Sequence, residues 1–422
     1  MTDATTRYAR ILTGDPAPIF EQAGLATPRF SLSSTGGRYL VMCFFASAAL
    51  EGARAALSAA FARHDLFDGR RAAFLGISID PADRAEARLG DLPLGYDIVW
   101  DFDGRASRLY GAIPIEAALA PGTVMARPTW VVLDPTLRVL KVVPFAPSHD
   151  DVAEILGFVE ALPAPACFAG MDLQAPIIVL PNVFEPDLCR RLVHLYETVG
   201  GEESGVMQDI GGKTVGVLNA RYKRRRDCTI EDPALVAEIR GRVSRRVVPE
   251  IAKIHQFTAT RMERYIVACY AAEDGGHFSP HRDNTTRGTA HRRFAVSINL
   301  NDDFDGGEVG FPEYGPRTFK APPGGAVVFS CSLLHAVTTV TRGRRYTFLP
   351  FLYDDAAAAI REANLPFVGA ADAPAPSLAR PLPAPPAPIA PVPSAVAKVA
   401  GGVRSSAGMS SRPASPRKRA SR

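Results

Sequence analysis

The chain changes its hydrophobic rhythm near residue 175. Before that point, continuous apolar runs alternate with stretches whose apolar residues recur at helical spacing. "RYLVMCFF" (38–45) is unbroken enough for a buried strand, and "LEGARAALSAAFARHDLF" (50–67) has the composition and spacing of a helix. "RAAFLGISID" (71–80) and "PADRAEARLG" (81–90) repeat that pair. "TWVVLD" (129–134) and "RVLKVVPF" (138–145) read as a hairpin, and "HDDVAEILGFVEAL" (149–162) as a closing helix. Strands alternating with helices predict an α/β layer with some parallel pairing over residues 1–163.

Past a linker placed at 164–174, two amphipathic segments open with an acidic residue and proline: "EPDLCRRLVHLYETV" (185–199) and "DPALVAEIRGRVSRRVVPEIAKIH" (232–255). From residue 264 onward the chain breaks into short β-rich pieces divided by Gly, Pro and Asp, among them "YIVACY", "FAVSINLN", "GAVVFS" and "YTFLPFLY". Helices followed by many short strands predict a barrel or jelly roll with a helical buttress over 175–369. Residues 370–422 alternate Pro, Ala and Ser, a composition that predicts a disordered tail.

Composition narrows the class. A length of 422 residues suits two folded domains plus a tail, and an apolar fraction of 47% is that of a globular protein. The formal charge of +4 belongs to the tail, where eight Lys and Arg face one Asp, while the other 369 residues hold 40 basic and 43 acidic side chains. The folded body therefore gives no reason to expect a nucleic-acid partner. The apolar run at 40–50 is too short to span a bilayer, and the first residues lack the apolar core of a secretory signal. Six scattered cysteines with no C-x-x-C pair fit a reducing compartment, so a cytoplasmic location is expected.

Chemistry concentrates in "GGHFSPHRDN" (275–284). Gly275, Gly276 and Pro280 argue against a helical pair of His277 and His281, and no Glu follows the first His. In extended chain, the period of two puts His281 and Asp283 on one face and turns Arg282 away. A polar surface loop is the plainer alternative for a lone H-x-D. A two-His-one-carboxylate site needs one more His from another strand, with open positions left on the metal. His335 follows an apolar strand and a loop in "GGAVVFSCSLLHAVTTV"; His291 competes but lies in the polar segment "TTRGTAHRR". A hairpin turn is expected at Arg342–Gly343. On the returning strand Arg345 and Thr347 share a face, a charged fork beside a hydroxyl that suits a carboxylate.

Residues from about 175 to 355 resemble the prolyl 4-hydroxylase-like branch of the Fe(II)/2-oxoglutarate dioxygenases. The matching residues are "YAAEDGGHFSPHRD", "GGEVGFP", "PPGGAVVF", and His335 followed ten positions later by Arg345. The resemblance implies a double-stranded β-helix in which His281, Asp283 and His335 bind Fe(II). It also implies that Arg345, supported by Thr347, holds the distal carboxylate of 2-oxoglutarate, with Tyr270 lining that pocket. Some relatives place a tyrosine near Asn299, so a co-substrate contact by Asn299 is the open point. His277 is left outside the ligand set. O₂, 2-oxoglutarate and a protein, peptide or amino-acid substrate are the implied partners, with ascorbate a further candidate cofactor. Segments 202–227 and 285–293 are the candidates for substrate contact.

The first domain resembles the thioredoxin-fold peroxiredoxins through "GDPAPIF", "YLVMCFFASAALEGARAAL" and "RPTWVVLD". In that family a peroxidatic cysteine stands three residues before a Glu; counting back from Glu51 lands on Ala48. Arg127 matches the arginine that polarises the thiolate there, and Pro128 the cis-proline of the fold. Cys43 is expected to be buried and inert. The domain is therefore expected to have kept the scaffold without the peroxidase chemistry, serving in docking, substrate recognition or homodimer formation. A thiol-dependent antioxidant enzyme and a non-catalytic scaffold are the two readings from other classes.

Overall fold

The computed structural model describes residues 6–26, 28–117 and 125–369. The tail expected at 370–422 lies outside the described residues.

The first domain is built on one seven-stranded sheet. Its strands run across the sheet in the order Phe30–Ser31, Glu21–Gly24, Tyr96–Trp100, Ala72–Ser78, Tyr39–Ala46, Thr129–Leu133, Val139–Pro144. The strands Tyr39–Ala46, Ala72–Ser78 and Tyr96–Trp100 pair in parallel, and Thr129–Leu133 with Val139–Pro144 forms the expected antiparallel hairpin. Period-two alternation explains the unbroken apolar run at 39–45. Tyr39, Val41, Cys43 and Phe45 join one core while Leu40, Met42 and Phe44 join the core on the opposite face. The helix Glu51–Phe61 buries Ala53, Ala56, Leu57 and Ala60, the spacing of one helical stripe. This is a thioredoxin-like α/β layer.

The second domain is a double-stranded β-helix. One sheet of five strands carries Lys223–Arg224, His277–His281, His335–Val337, Val309–Gly310 and Thr318–Phe319 in that order. A larger sheet includes Phe294–Asn299, Arg344–Phe348 and Ile266–Ala271. Helices Pro186–Val199, Pro233–Arg246 and Val248–His255 supply Leu192, Ile239, Val243 and Ile251 to the core beneath the larger sheet.

Two expectations from sequence are corrected. The long amphipathic segment at 232–255 is two helices, because Pro249 offers no N–H to continue the first and starts a second after Val247. The turn at Arg342–Gly343 does not close a hairpin: His335–Val337 pairs in the small sheet and Arg344–Phe348 in the large one. The chain crosses between sheets there. Gly343 has φ +71°, and a Cβ would come within 2.4 Å of the Asp303 carbonyl oxygen, so the crossover requires glycine. Among the described residues, no helix is long and apolar enough to cross a membrane.

Candidate metal centre

The strand His277–His281 ends on the first candidate ligand, and His281 is the direct cross-strand partner of His335. Asp283 follows two residues later, its backbone N–H donating to the Cys331 carbonyl at 3.0 Å. Each imidazole is anchored in the same way. The His281 Nδ1 lies 2.8 Å from the Ser279 carbonyl and the His335 Nδ1 lies 3.0 Å from the Leu333 carbonyl. A carbonyl only accepts, so both Nδ1 atoms carry the proton and both Nε2 atoms present lone pairs. Those Nε2 atoms stand 3.6 and 3.3 Å from the two carboxylate oxygens of Asp283. Donor atoms about 2.1 Å from one ion stand roughly 3 Å apart on an octahedral face.

The three side chains offer ligand atoms within 4.8 Å of one another. Acceptors thus face acceptors with no donor between them, and a cation is the charge the cluster lacks. Burial pushes His335 down to about 4, so a proton is poorly held there at neutral pH while a metal can be. Phe278 stacks on His281 with centroids 3.5 Å apart and Phe329 packs 4.6 Å from His335, which fixes both rings.

The triad opens into a cleft whose lining includes Arg225, Arg264, Tyr270, Phe278, Ser297 and Arg345. Arg345 comes from the opposite sheet and is 1% exposed. Its Nε donates to Asn299 Oδ1 at 2.9 Å and its Nη2 to Ser297 Oγ at 2.7 Å. Its Nη1 is buried with no hydrogen-bond partner. Burial pushes its pKa down to about 10, so it stays cationic at neutral pH. A buried cation with an unused donor in the cleft fits an anionic oxygen. Tyr270 sits directly across the strand pair from Arg345, its ring centroid 5.4 Å from the guanidinium.

Two of the residues expected to touch a co-substrate do something else. Asn299 is filled on both sides, accepting from Arg345 and donating to the Ala321 carbonyl at 2.7 Å. The Thr347 hydroxyl donates to the Ile298 carbonyl at 2.9 Å. Neither lines the cleft. Asn299 aims the arginine, and Thr347 ties two strands together. Sequence reasoning missed Ser297, although it sits two positions before Asn299 and so on the same face. It also missed Arg225, which donates to both Asp227 oxygens at 2.7 Å and reaches the Tyr270 hydroxyl at 3.4 Å. The basic run "KRRRD" carried no sign that Lys223 and Arg225 turn inward.

The two other histidines of the β-rich region are committed elsewhere. His277 lies against the backbone carbonyls of Gly275 and Arg221, at 2.8 and 3.2 Å. His291 is buried, not exposed on a polar loop, and meets Glu263 at 2.9 Å. Burial alone would raise the Glu263 carboxyl, but Arg292 and His291 outweigh it and hold the group well below the usual range.

In the first domain, Ala48 occupies the place where the resemblance puts a thiol. Its N–H donates to the buried Asp83 carboxylate at 2.9 Å, which also accepts from Ser78 Oγ at 2.7 Å and Arg88 at 3.0 Å. Arg127 is exposed and covers the Tyr8 ring at 3.5 Å, having no thiolate to attract it. Pro128 is not cis, since no described peptide bond is. Cys43 is buried, and burial pushes its thiol well above the usual value. The Asp83 carboxylate beside position 48 would oppose thiolate formation there. An Ala48→Cys variant is therefore expected to consume hydrogen peroxide no faster than the parent in a dithiothreitol-coupled assay. Turnover on restoring the thiol would show the scaffold still competent.

The family model of the 2OG-Fe(II) oxygenase superfamily matches residues 265–353, and that of the AhpC/TSA family matches residues 13–142. A PKHD-type hydroxylase of Bordetella pertussis is 36% identical over 146 residues, covering 32% of this chain and 62% of the relative. One from Cupriavidus metallidurans is 30% identical over 184 residues, covering 40% of this chain and 75% of the relative. This chain thus spans less than two thirds of the Bordetella protein's length. Among solved structures, a prolyl hydroxylase from Trichoplax adhaerens in complex with a hypoxia inducible factor peptide is 16% identical with a TM-score of 0.34, covering 44% of this chain and 87% of that one. A peroxidoxin from Mycobacterium tuberculosis is 23% identical with a TM-score of 0.31, covering 37% of this chain and 100% of that one. The chain belongs to the 2OG-Fe(II) oxygenase superfamily, and it carries an AhpC/TSA-family segment ahead of the oxygenase domain.

Proposed function

We infer that the protein is a 2-oxoglutarate-dependent Fe(II) dioxygenase that hydroxylates a C–H bond in a protein, peptide or amino-acid substrate. The observation that carries this reading is the pairing of two unmet needs in one cleft. Three acceptors lack a cation, and one buried guanidinium lacks an anion. Fe(II) with 2-oxoglutarate fills both, and when bound supplies O₂ activation coupled to decarboxylation of the co-substrate to succinate and CO₂.

The chain's own residues bind and orient. His281, Asp283 and His335 would hold the metal through three donor atoms, short of a full coordination shell. Arg345, aimed by Asn299 and Ser297, holds the distal carboxylate, and Tyr270 closes the pocket beside it. Phe278, Val309 and Val337 give the cleft an apolar wall that limits water. Segment 202–227 remains a proposed substrate contact, because Arg225 lines the cleft, and segment 285–293 is proposed on its sequence alone. Relatives named hydroxylases support the reaction class.

The test is succinate formation by the full-length protein with 2-oxoglutarate and Fe(II), with and without ascorbate, across a panel of amino acids and peptides. Succinate that depends on both 2-oxoglutarate and iron is the expected result. Tight iron binding without any affinity for 2-oxoglutarate would sink the reading.

A further inference from the structure

The residue between the two ligands of the H-x-D motif is not idle. Arg282 turns away from the metal face, as the period of two requires, and its guanidinium is largely buried. Nη2 donates to Glu313 Oε1 at 2.6 Å and Nη1 to Glu313 Oε2 at 3.3 Å. Nη1 also donates to the Ser332 carbonyl, and Nε donates at 3.1 Å to the carbonyl of Ser33, in the first domain. Glu313 Oε2 accepts a further bond, 3.2 Å, from the backbone N–H of Leu334. That amide immediately precedes His335.

Glu313 is therefore tied to both segments that carry ligands, one through the side chain between His281 and Asp283 and one through the amide beside His335. Backbone bonds hold each segment to its neighbours, Asp283 to Cys331 and Val337 to Val309 among them, but the pairing between the two ligand strands themselves is short. The two strands share register only at Phe278 with Val337 and His281 with His335, with an irregularity between. The first domain then closes the clamp from outside. A Cβ added at Gly36 would stand 2.8 Å from Glu313 Cγ and 3.2 Å from its Oε1, and Gly37 approaches Pro312 as closely. Both domains lie within one compact unit.

We propose that Arg282 and Glu313 are positioning residues for the metal triad, and that segment 33–37 of the redoxin-like domain seats their ion pair. The first domain is then a fixed outer part of the oxygenase's metal site. The proposal rests on the metal reading of the triad. Groups that orient ligands change metal affinity by about 10–100-fold when lost, which sets the scale expected here.

The probe is Mn(II), titrated calorimetrically into the full-length, metal-stripped protein, with the electron paramagnetic resonance line shape of the bound ion and the melting temperature recorded in parallel. Gly36→Ala, in the other domain from every ligand, is expected to weaken Mn(II) binding by about tenfold and to alter the line shape. Glu313→Gln is expected to do the same through loss of the charged fork, and Arg282→Lys to recover part of what Arg282→Ala loses. Gly157→Ala, at an open position of the first domain, is the control and should bind as the parent does. Unchanged affinity and line shape in both Gly36→Ala and Glu313→Gln would overturn the brace while leaving the triad reading intact. Failure of the parent itself to bind Mn(II) would overturn the triad reading, and the brace with it.

Discussion

Replacing His335 with alanine should lower Mn(II) affinity by more than about 100-fold and bring 2-oxoglutarate-dependent succinate formation to background. The upper end of the range for merely orienting groups is about 100-fold, and His335 is argued to be a ligand itself. Because His335 stands 3.3 Å from the Asp283 carboxylate, the melting temperature is recorded in parallel to show that the variant stays folded. His277→Ala is the matched control: its ring meets backbone carbonyls, not the triad. Equal Mn(II) affinity in the His335→Ala protein and the parent would remove His335 from the ligand set.

The second large effect is expected at Arg345. Arg345→Lys keeps a positive charge but cannot reproduce a planar fork that is aimed by Asn299 and Ser297 while leaving Nη1 free. Hydrogen bonds to charged groups contribute about 1.5–3 kcal/mol each. Loss of two would raise the KM for 2-oxoglutarate by roughly 100-fold or more, at 1.4 kcal/mol per tenfold. Mn(II) affinity measured without 2-oxoglutarate should not move, because Arg345 lies on the sheet opposite the ligand histidines. A variant in which metal binding falls and the KM holds would assign Arg345 to the metal site instead.

The match between sequence and structure is uneven for physical reasons. Alternation along an extended chain fixes which face a side chain joins, so His281 and Asp283 on one face with Arg282 on the other follow from spacing. The same rule correctly puts Arg345 and Thr347 on one face. It cannot say which polar atoms are already satisfied. Thr347 bonds a neighbouring strand's carbonyl and Asn299 bonds Arg345 and Ala321, and neither side chain lines the cleft although both lie on the expected face. The expected hairpin at Arg342–Gly343 fails similarly: a glycine turn shows where the chain reverses, not which sheet the next strand joins.

By itself, the sequence determined the order of an α/β part and a part of many short strands, and the spacing of the candidate triad, all of which depend on local periodicity or on which residue stands where. The β-helix class and the missing thiol at Ala48 came from family resemblance. Only the tertiary structure decided that His291 is committed to Glu263, that Ser297 and Arg225 line the cleft, and that Asp83 lies beside position 48. It alone decided that Arg282 reaches Ser33, 249 residues away in sequence. These are long-range satisfactions of buried polar groups. Each depends on which partner the fold brings within about 3 Å, a distance that no local pattern encodes.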